Sequence, residues 1–167
     1  MPEALPSRVD AIRLAGRGAR IENDTPVATM LRLAGMLADN TGTVRSQMGF
    51  VRDAADRVVI DGHAAAMLTV TCQRCLDALP VQVATDFRLG LVDDDAQADR
   101  LPDGIEPVLS DDGHVSPLAV VEDELILALP IVALHQDCSP PADAAPAPAK
   151  VGDSPFAVLK QLKNRQR

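Results

Sequence analysis

In three runs between Thr43 and Leu91 the pattern alternates at every second position, and this period of two limits what the chain can fold into more than any other feature. Val44, Ser46, Met48 and Phe50 share one side of a strand of about nine residues starting at Thr43, while Arg45 and Gln47 point away. Arg57 to Cys72 reads as one long strand, or as two broken at Asp61-Gly62, with Ala64, Ala66, Leu68, Val70 and Cys72 on one face. After a turn around Gln73 to Pro80, the residues Val81, Val83, Thr85, Phe87, Leu89 and Leu91 alternate with Gln82, Asp86 and Arg88. That is the partner strand of a hairpin, and an antiparallel sheet with one apolar face needs helices to cover it.

Elsewhere the period changes. Thr25-Pro26 has the form of an N-cap followed by a first-turn proline, and Val27, Met30, Leu33, Ala34 and Leu37 recur at helical steps, so a helix is expected from there to Asp39. Ser116-Pro117 repeats the signal ahead of Leu118, Val121, Leu125 and Leu129, with Pro130 as the stop. Residues 92–113 form an acidic loop with a short strand at Glu106 to Leu109. Residues 1–24, with Arg8, Arg13, Arg17 and Arg20, are expected to be an extended, loosely ordered, edge-like lead-in. The expected architecture is α+β: an antiparallel β-meander or hairpin sheet with two or three helices packed on it, in a single domain over residues 1–138. Residues 139–153, with Pro140, Pro141, Pro146 and Pro148 among alanines, read as a linker. Ser154-Pro155 then starts a basic C-terminal helix over 154–167, amphipathic through Phe156, Val158, Leu159 and Leu162.

Composition removes several function classes. In 167 residues there are three Phe and no Trp or Tyr, which argues against modules that stack bases on aromatic platforms. The formal charge of −8 is opposite in sign to that of a protein gripping a phosphate backbone over a broad surface. Between residues 92 and 124 stand eleven acids against Arg100 alone, whereas the last eight residues carry Lys160, Lys163, Arg165 and Arg167 and no acid. An acidic body with a basic tip suits a protein that meets its partners through separate faces, although such acids are also simply a solvated face. No opening segment has the form of a secretory signal and no apolar run approaches a membrane span, so a cytoplasmic protein is expected.

Three cysteines, an odd number without an export signal, fit metal ligands or reduced thiols better than a disulfide framework. Cys72-Gln73-Arg74-Cys75 and His135-Gln136-Asp137-Cys138 are two pairs, each with a two-residue gap. Together Cys72, Cys75, His135 and Cys138 offer three sulfurs and one nitrogen, a set that a structural zinc ion accepts if the fold brings the pairs together across sixty residues. Otherwise the thiols are small buried hydrophobes beside a turn and His135 is a surface loop residue. A thiol redox site would place the first Cys at a helix N-terminus in a βαβ unit, and that context is missing. His63 and His114 each stand beside an Asp-Gly pair and read as turn residues. Asp93-Asp94-Asp95 and Glu122-Asp123-Glu124 lack the oxygen-ligand spacing of a calcium loop. Ser110 and Ser116 have no base in a nucleophile motif, there is no phosphate-binding Gly-rich loop, and so no catalytic residue is assigned.

Three segments in this order carry a resemblance. They are Thr69-Val70-Thr71-Cys72-Gln73-Arg74-Cys75-Leu76, then Val121-Glu122-Asp123-Glu124-Leu125-Ile126-Leu127-Ala128-Leu129-Pro130 leading to His135 and Cys138, and Pro155-Phe156-Ala157-Val158-Leu159-Lys160-Gln161-Leu162-Lys163. Over residues 40–165 the chain resembles the YceD-like proteins, the large ribosomal RNA subunit accumulation proteins. Ser154 stands where that family usually has Asn, and either residue caps a helix. The resemblance implies a non-enzymatic role in processing, stability or accumulation of large-subunit (23S) ribosomal RNA, with the RNA precursor or ribosomal and processing proteins as partners. With so acidic a body, that role is expected to run through a protein, with Phe156, Leu159, Lys160, Lys163, Arg165 and Arg167 as the partner or RNA contact. The alternative is a zinc-stabilised protein-interaction module unrelated to ribosomes.

Overall fold

A computed structural model describes residues 5–141. The expected C-terminal helix, with Phe156, Leu159, Lys160, Lys163, Arg165 and Arg167, and most of the linker lie outside the described residues. The fold is α+β. Its elements in chain order are β1 (Val9–Asp10), α1 (Ala11–Ala15), β2 (Arg20–Pro26), a 3-10 turn (Val27–Thr29), α2 (Leu31–Ala34), β3 (Thr43–Arg52), β4 (Val58–Thr71), β5 (Ala78–Val92), α3 (Asp95–Ala98), β6 (Glu106–Leu109), β7 (His114–Val115) and α4 (Pro117–Ala128).

The alternating region forms the sheet it predicts. Strands β2 to β6 lie in sequence order in a five-stranded sheet, antiparallel throughout except that β6 runs parallel to β5. Val44, Ser46, Met48 and Phe50 of β3 are all buried, as are Ala64, Ala66, Leu68, Val70 and Cys72 along and just beyond β4. Ser46 obeys the period despite its polarity, and its buried hydroxyl has no hydrogen-bond partner among the described residues. β4 passes through Asp61-Gly62 without a break. Gly62 is needed there because Phe87, its neighbour on β5, lies over it: an added Cβ would stand 2.1 Å from the Phe87 ring. The core fills the space between this face of the sheet and α1, α2 and α4, with Phe50, Met30, Leu33, Ile60, Leu68, Val121 and Leu125 fully enclosed.

Two expectations about residues 1–39 are corrected. Thr25-Pro26 does not start a helix: both residues end β2, paired with Val44 and Thr43, where an edge strand tolerates proline. The amide of Val27 is drawn out to the carbonyl of Gly42, and Met30 (φ −93°, ψ 83°) separates the 3-10 turn from the single turn of α2. The three-residue spacing of Val27, Met30 and Leu33 still delivers all three to the core, because a 3-10 turn repeats every three residues. The lead-in is not wholly extended either, since Asp10 caps the short helix α1 through the Arg13 amide. β2 is nonetheless an edge strand, and β1 pairs with β7 in a separate two-stranded ribbon.

The second face of the sheet carries Arg45, Gln47, Asp61, His63, Asp86 and Arg88 in the open. Cross-strand pairs Arg45–Asp24, Arg88–Asp61 and His63–Asp86 (2.7 Å) run across it. His63 is therefore a mid-strand residue, not a turn residue. His114 opens β7 directly after the Asp112-Gly113 turn, whose residues both have positive φ. At one end of this face Leu101 and Ile105 press on Gly90, the cross-strand partner of the buried Val59.

Ser116 caps α4 through the Ala119 amide at 3.2 Å, and Pro117 takes its first position. The acids of the following turn are not all solvated. Glu122 is only 6% exposed, and its carboxylate accepts from the backbone amides of Arg32 (2.7 Å) and Leu33 (3.1 Å) and from the Arg32 guanidinium. It thereby satisfies the free amides at the start of α2 from ninety residues away. Asp94 does the same locally for α3 through the Gln97 amide.

Candidate metal centre

Strand β4 ends at Thr71, and Cys72 follows it directly, its side chain continuing the buried face of the strand and fully enclosed. The chain then reverses within a tight loop: the Leu76 amide bonds the Cys72 carbonyl (2.9 Å) and the Cys72 amide bonds the Asp77 carbonyl (2.8 Å). Leu76 takes a left-handed conformation (φ 66°) to make that turn. The second pair arrives from the other direction. α4 stops at Ala128, and the extended Leu129 ahead of Pro130 sends the chain back over the hairpin end. There the Gln73 amide bonds the Ala133 carbonyl (2.9 Å), the Gln73 side chain bonds the Ile131 carbonyl, and the Arg74 guanidinium bonds the Cys138 carbonyl. The residues between the cysteines thus fasten the returning segment, which the Cys spacing by itself did not reveal.

All four ligand atoms of Cys72, Cys75, His135 and Cys138 lie within 4.8 Å of one another. Cys72 Sγ and Cys138 Sγ are 3.8 Å apart, and Cys75 Sγ is 3.3 Å from His135 Nδ1. Sulfurs on a tetrahedral zinc ion with bonds of about 2.3 Å stand about 3.8 Å apart, so the spacing fits one ion at the centre. The electrostatics fit as well. Burial pushes the Cys72 thiol up, but amides of Cys75, His135 and Arg74 aimed at its sulfur outweigh this and bring it down to about 5. The His135 amide donates to it at 3.4 Å. Cys75 shows the opposite balance: the Asp77 amide lowers it, yet burial and the neighbouring Cys72, Asp77 and Cys138 side chains push it up to about 11. The cluster welcomes one negative sulfur and resists a second, which is the condition that a divalent cation relieves. Nδ1 is the nitrogen aimed at the cluster. The thiols are not a redox pair at a helix N-terminus, because the segment after Cys75 leads into β5.

Among the described residues the acidic triplets form no comparable group. Glu122 is committed to α2, Asp123 to Arg32, Asp94 to the cap of α3, and Asp93 accepts from Ser110. No helix among the described residues is long and apolar enough to cross a membrane.

Comparison with known proteins adds two findings. The family model described as large ribosomal RNA subunit accumulation protein YceD matches residues 60–163, a span that contains both ligand pairs. A curated protein of Haemophilus influenzae, named large ribosomal RNA subunit accumulation protein YceD, is 30% identical over 96% of this chain and 97% of its own length. No solved structure matches the chain.

Proposed function

The chain belongs to the YceD family of large ribosomal RNA subunit accumulation proteins, and from that premise we propose that it supports accumulation of 23S ribosomal RNA as a docking factor in ribosome production. The observation that carries the reading is the family match itself, which spans the sheet hairpin, α4 and all four residues of the Cys3His cluster. The alternative of an interaction module unrelated to ribosomes has no comparable support.

In this reading no bond is made or broken by the protein's own side chains. It works in the cytoplasm, on the large-subunit RNA precursor or on ribosomal and processing proteins. The acidic body, at −8 overall, favours approach through a basic protein surface over broad contact with phosphate. Cys72, Cys75, His135 and Cys138 hold one structural zinc ion, which supplies a cross-link between the β4–β5 hairpin and the segment after α4.

Deleting the gene and measuring large-subunit against small-subunit ribosomal RNA tests this. The ratio falls and recovers with the wild-type gene but not with the Cys72→Ser/Cys75→Ser variant. An unchanged ratio with a normal subunit profile overturns the proposal.

A further inference from the structure

Beside the C-terminal half of α4 the surface opens into a cavity of ≈ 460 Å³, lined by Phe87, Leu127 and Ala128 together with Glu106 and Glu124. Apolar side chains and carboxylates thus share its lining. Leu127 is 75% exposed, and beyond the helix end Ile131 is 93% exposed, so the apolar surface continues toward the Cys3His cluster. Neither Glu106 nor Glu124 has an ion-pair partner among the described residues, and Arg88, which also borders the cavity, is 3.5 Å from Asp61. Burial first, and then the neighbouring Glu106 and Asp123 charges, hold the Glu124 carboxyl above its usual range.

The same chain carries the complement. Phe156, Leu159 and Leu162 stand at three-residue steps with Val158 beside them, and Lys160, Lys163, Arg165 and Arg167 follow without an acid. The described chain ends at residue 141, three residues beyond Cys138. The twelve residues from 142 to 153 reach at most about 40 Å. From Ala78, beside the cluster, to Thr85 on the cavity wall is seven strand residues, or roughly 24 Å. The tether is long enough, and it holds the segment at an effective concentration of order millimolar, well above that of a free competitor.

We infer that this groove between α4 and β5 is the seat of the chain's own basic carboxyl-terminal segment, residues 155–163, with Phe156 and Leu159 on Phe87 and Leu127 and with Lys160 and Lys163 facing Glu124 and Glu106. The inference does not rest on the ribosomal role, because the purified full-length protein tests it without RNA. A zero-length carbodiimide cross-linker joins Lys160 or Lys163 to Glu106 or Glu124, and in a mixture of isotopically light and heavy protein the cross-links stay within one label. Amide exchange over residues 124–128 speeds up about tenfold in Phe156→Asp/Leu159→Asp and in Glu106→Lys/Glu124→Lys. Adding Lys160→Glu/Lys163→Glu to the latter restores protection, which a merely misfolded variant would not show. Cross-links that join light to heavy protein assign the groove to a second copy and overturn the inference. So does the absence of these cross-links, or exchange unchanged by Phe156→Asp/Leu159→Asp.

Discussion

Glu122 is a case where one side chain decides the packing of two helices. Its carboxylate replaces the missing partners of the Arg32 and Leu33 amides and takes the Arg32 guanidinium at 2.9 Å, all at 6% exposure. Removing it leaves the Arg32 and Leu33 amides without acceptors, while the half-exposed Arg32 guanidinium keeps Asp123. Glu122→Ala should therefore destabilise the protein by about 2–4 kcal/mol, read from the denaturant midpoint, and a loss within the ordinary surface range would refute the capping role. Gly62 is constrained by space instead. A methyl at that position meets the Phe87 ring on the neighbouring strand, so Gly62→Ala should cost about 1–3 kcal/mol through displacement of the ring, and the pair Gly62→Ala/Phe87→Leu should cost less than the two changes summed. Additive losses in that cycle would mean that the ring is not what the new methyl meets.

At the scale of elements, the β3–β4 turn is held by a single acid. Asp53 accepts from the Arg57 amide at 3.0 Å and the Ala55 amide at 2.9 Å, and from the Arg57 guanidinium. The Arg57 amide is the chief cause that keeps this carboxyl below the usual carboxylate range, against the opposing effect of burial. A folded-state pKa below the unfolded one contributes stability that is present above the unfolded value and lost as pH falls through the folded one. Comparing urea midpoints at about pH 3 and pH 7, Asp53→Asn should show a smaller drop on acidification than the wild type. An equal drop in both proteins would place the acid sensitivity elsewhere. On α4, the Ser116 cap and the Pro130 stop were both legible because they act through nearest neighbours in the chain. The Thr25-Pro26 cap was misread for the same reason: a local signal lost to the seven-residue pairing of β2 with β3.

For the molecule as a whole, the Cys3His cluster ties the far end of the β4–β5 hairpin to the segment that leaves α4, sixty residues apart between Cys75 and His135. If one zinc ion holds it, protein purified without an affinity tag contains roughly one equivalent, and Cys75→Ser contains less than a tenth of that. A strong chelator should lower Tm by at least about 5 °C in the wild type and leave Cys75→Ser unmoved. Zinc should also be released on acidification, because protons compete with the ion for the three thiolates and the imidazole. Absence of zinc in reduced protein would return the thiols to a packing role.

The sequence alone determined the three central strands of the sheet, because the two-residue period of β3, β4 and β5 follows from how strands present their side chains and needs no knowledge of what lies opposite. It also determined the ends of α4, and it nominated Cys72, Cys75, His135 and Cys138 by residue type and spacing. Only the tertiary structure decided that those four converge, that β6 joins β5 in parallel, that Thr25-Pro26 closes a strand, and that Glu122 serves a helix in another part of the chain. Each of these depends on residues far apart in sequence meeting in space. Periodicity and capping are local physics, whereas convergence is settled by how the helices cover the sheet.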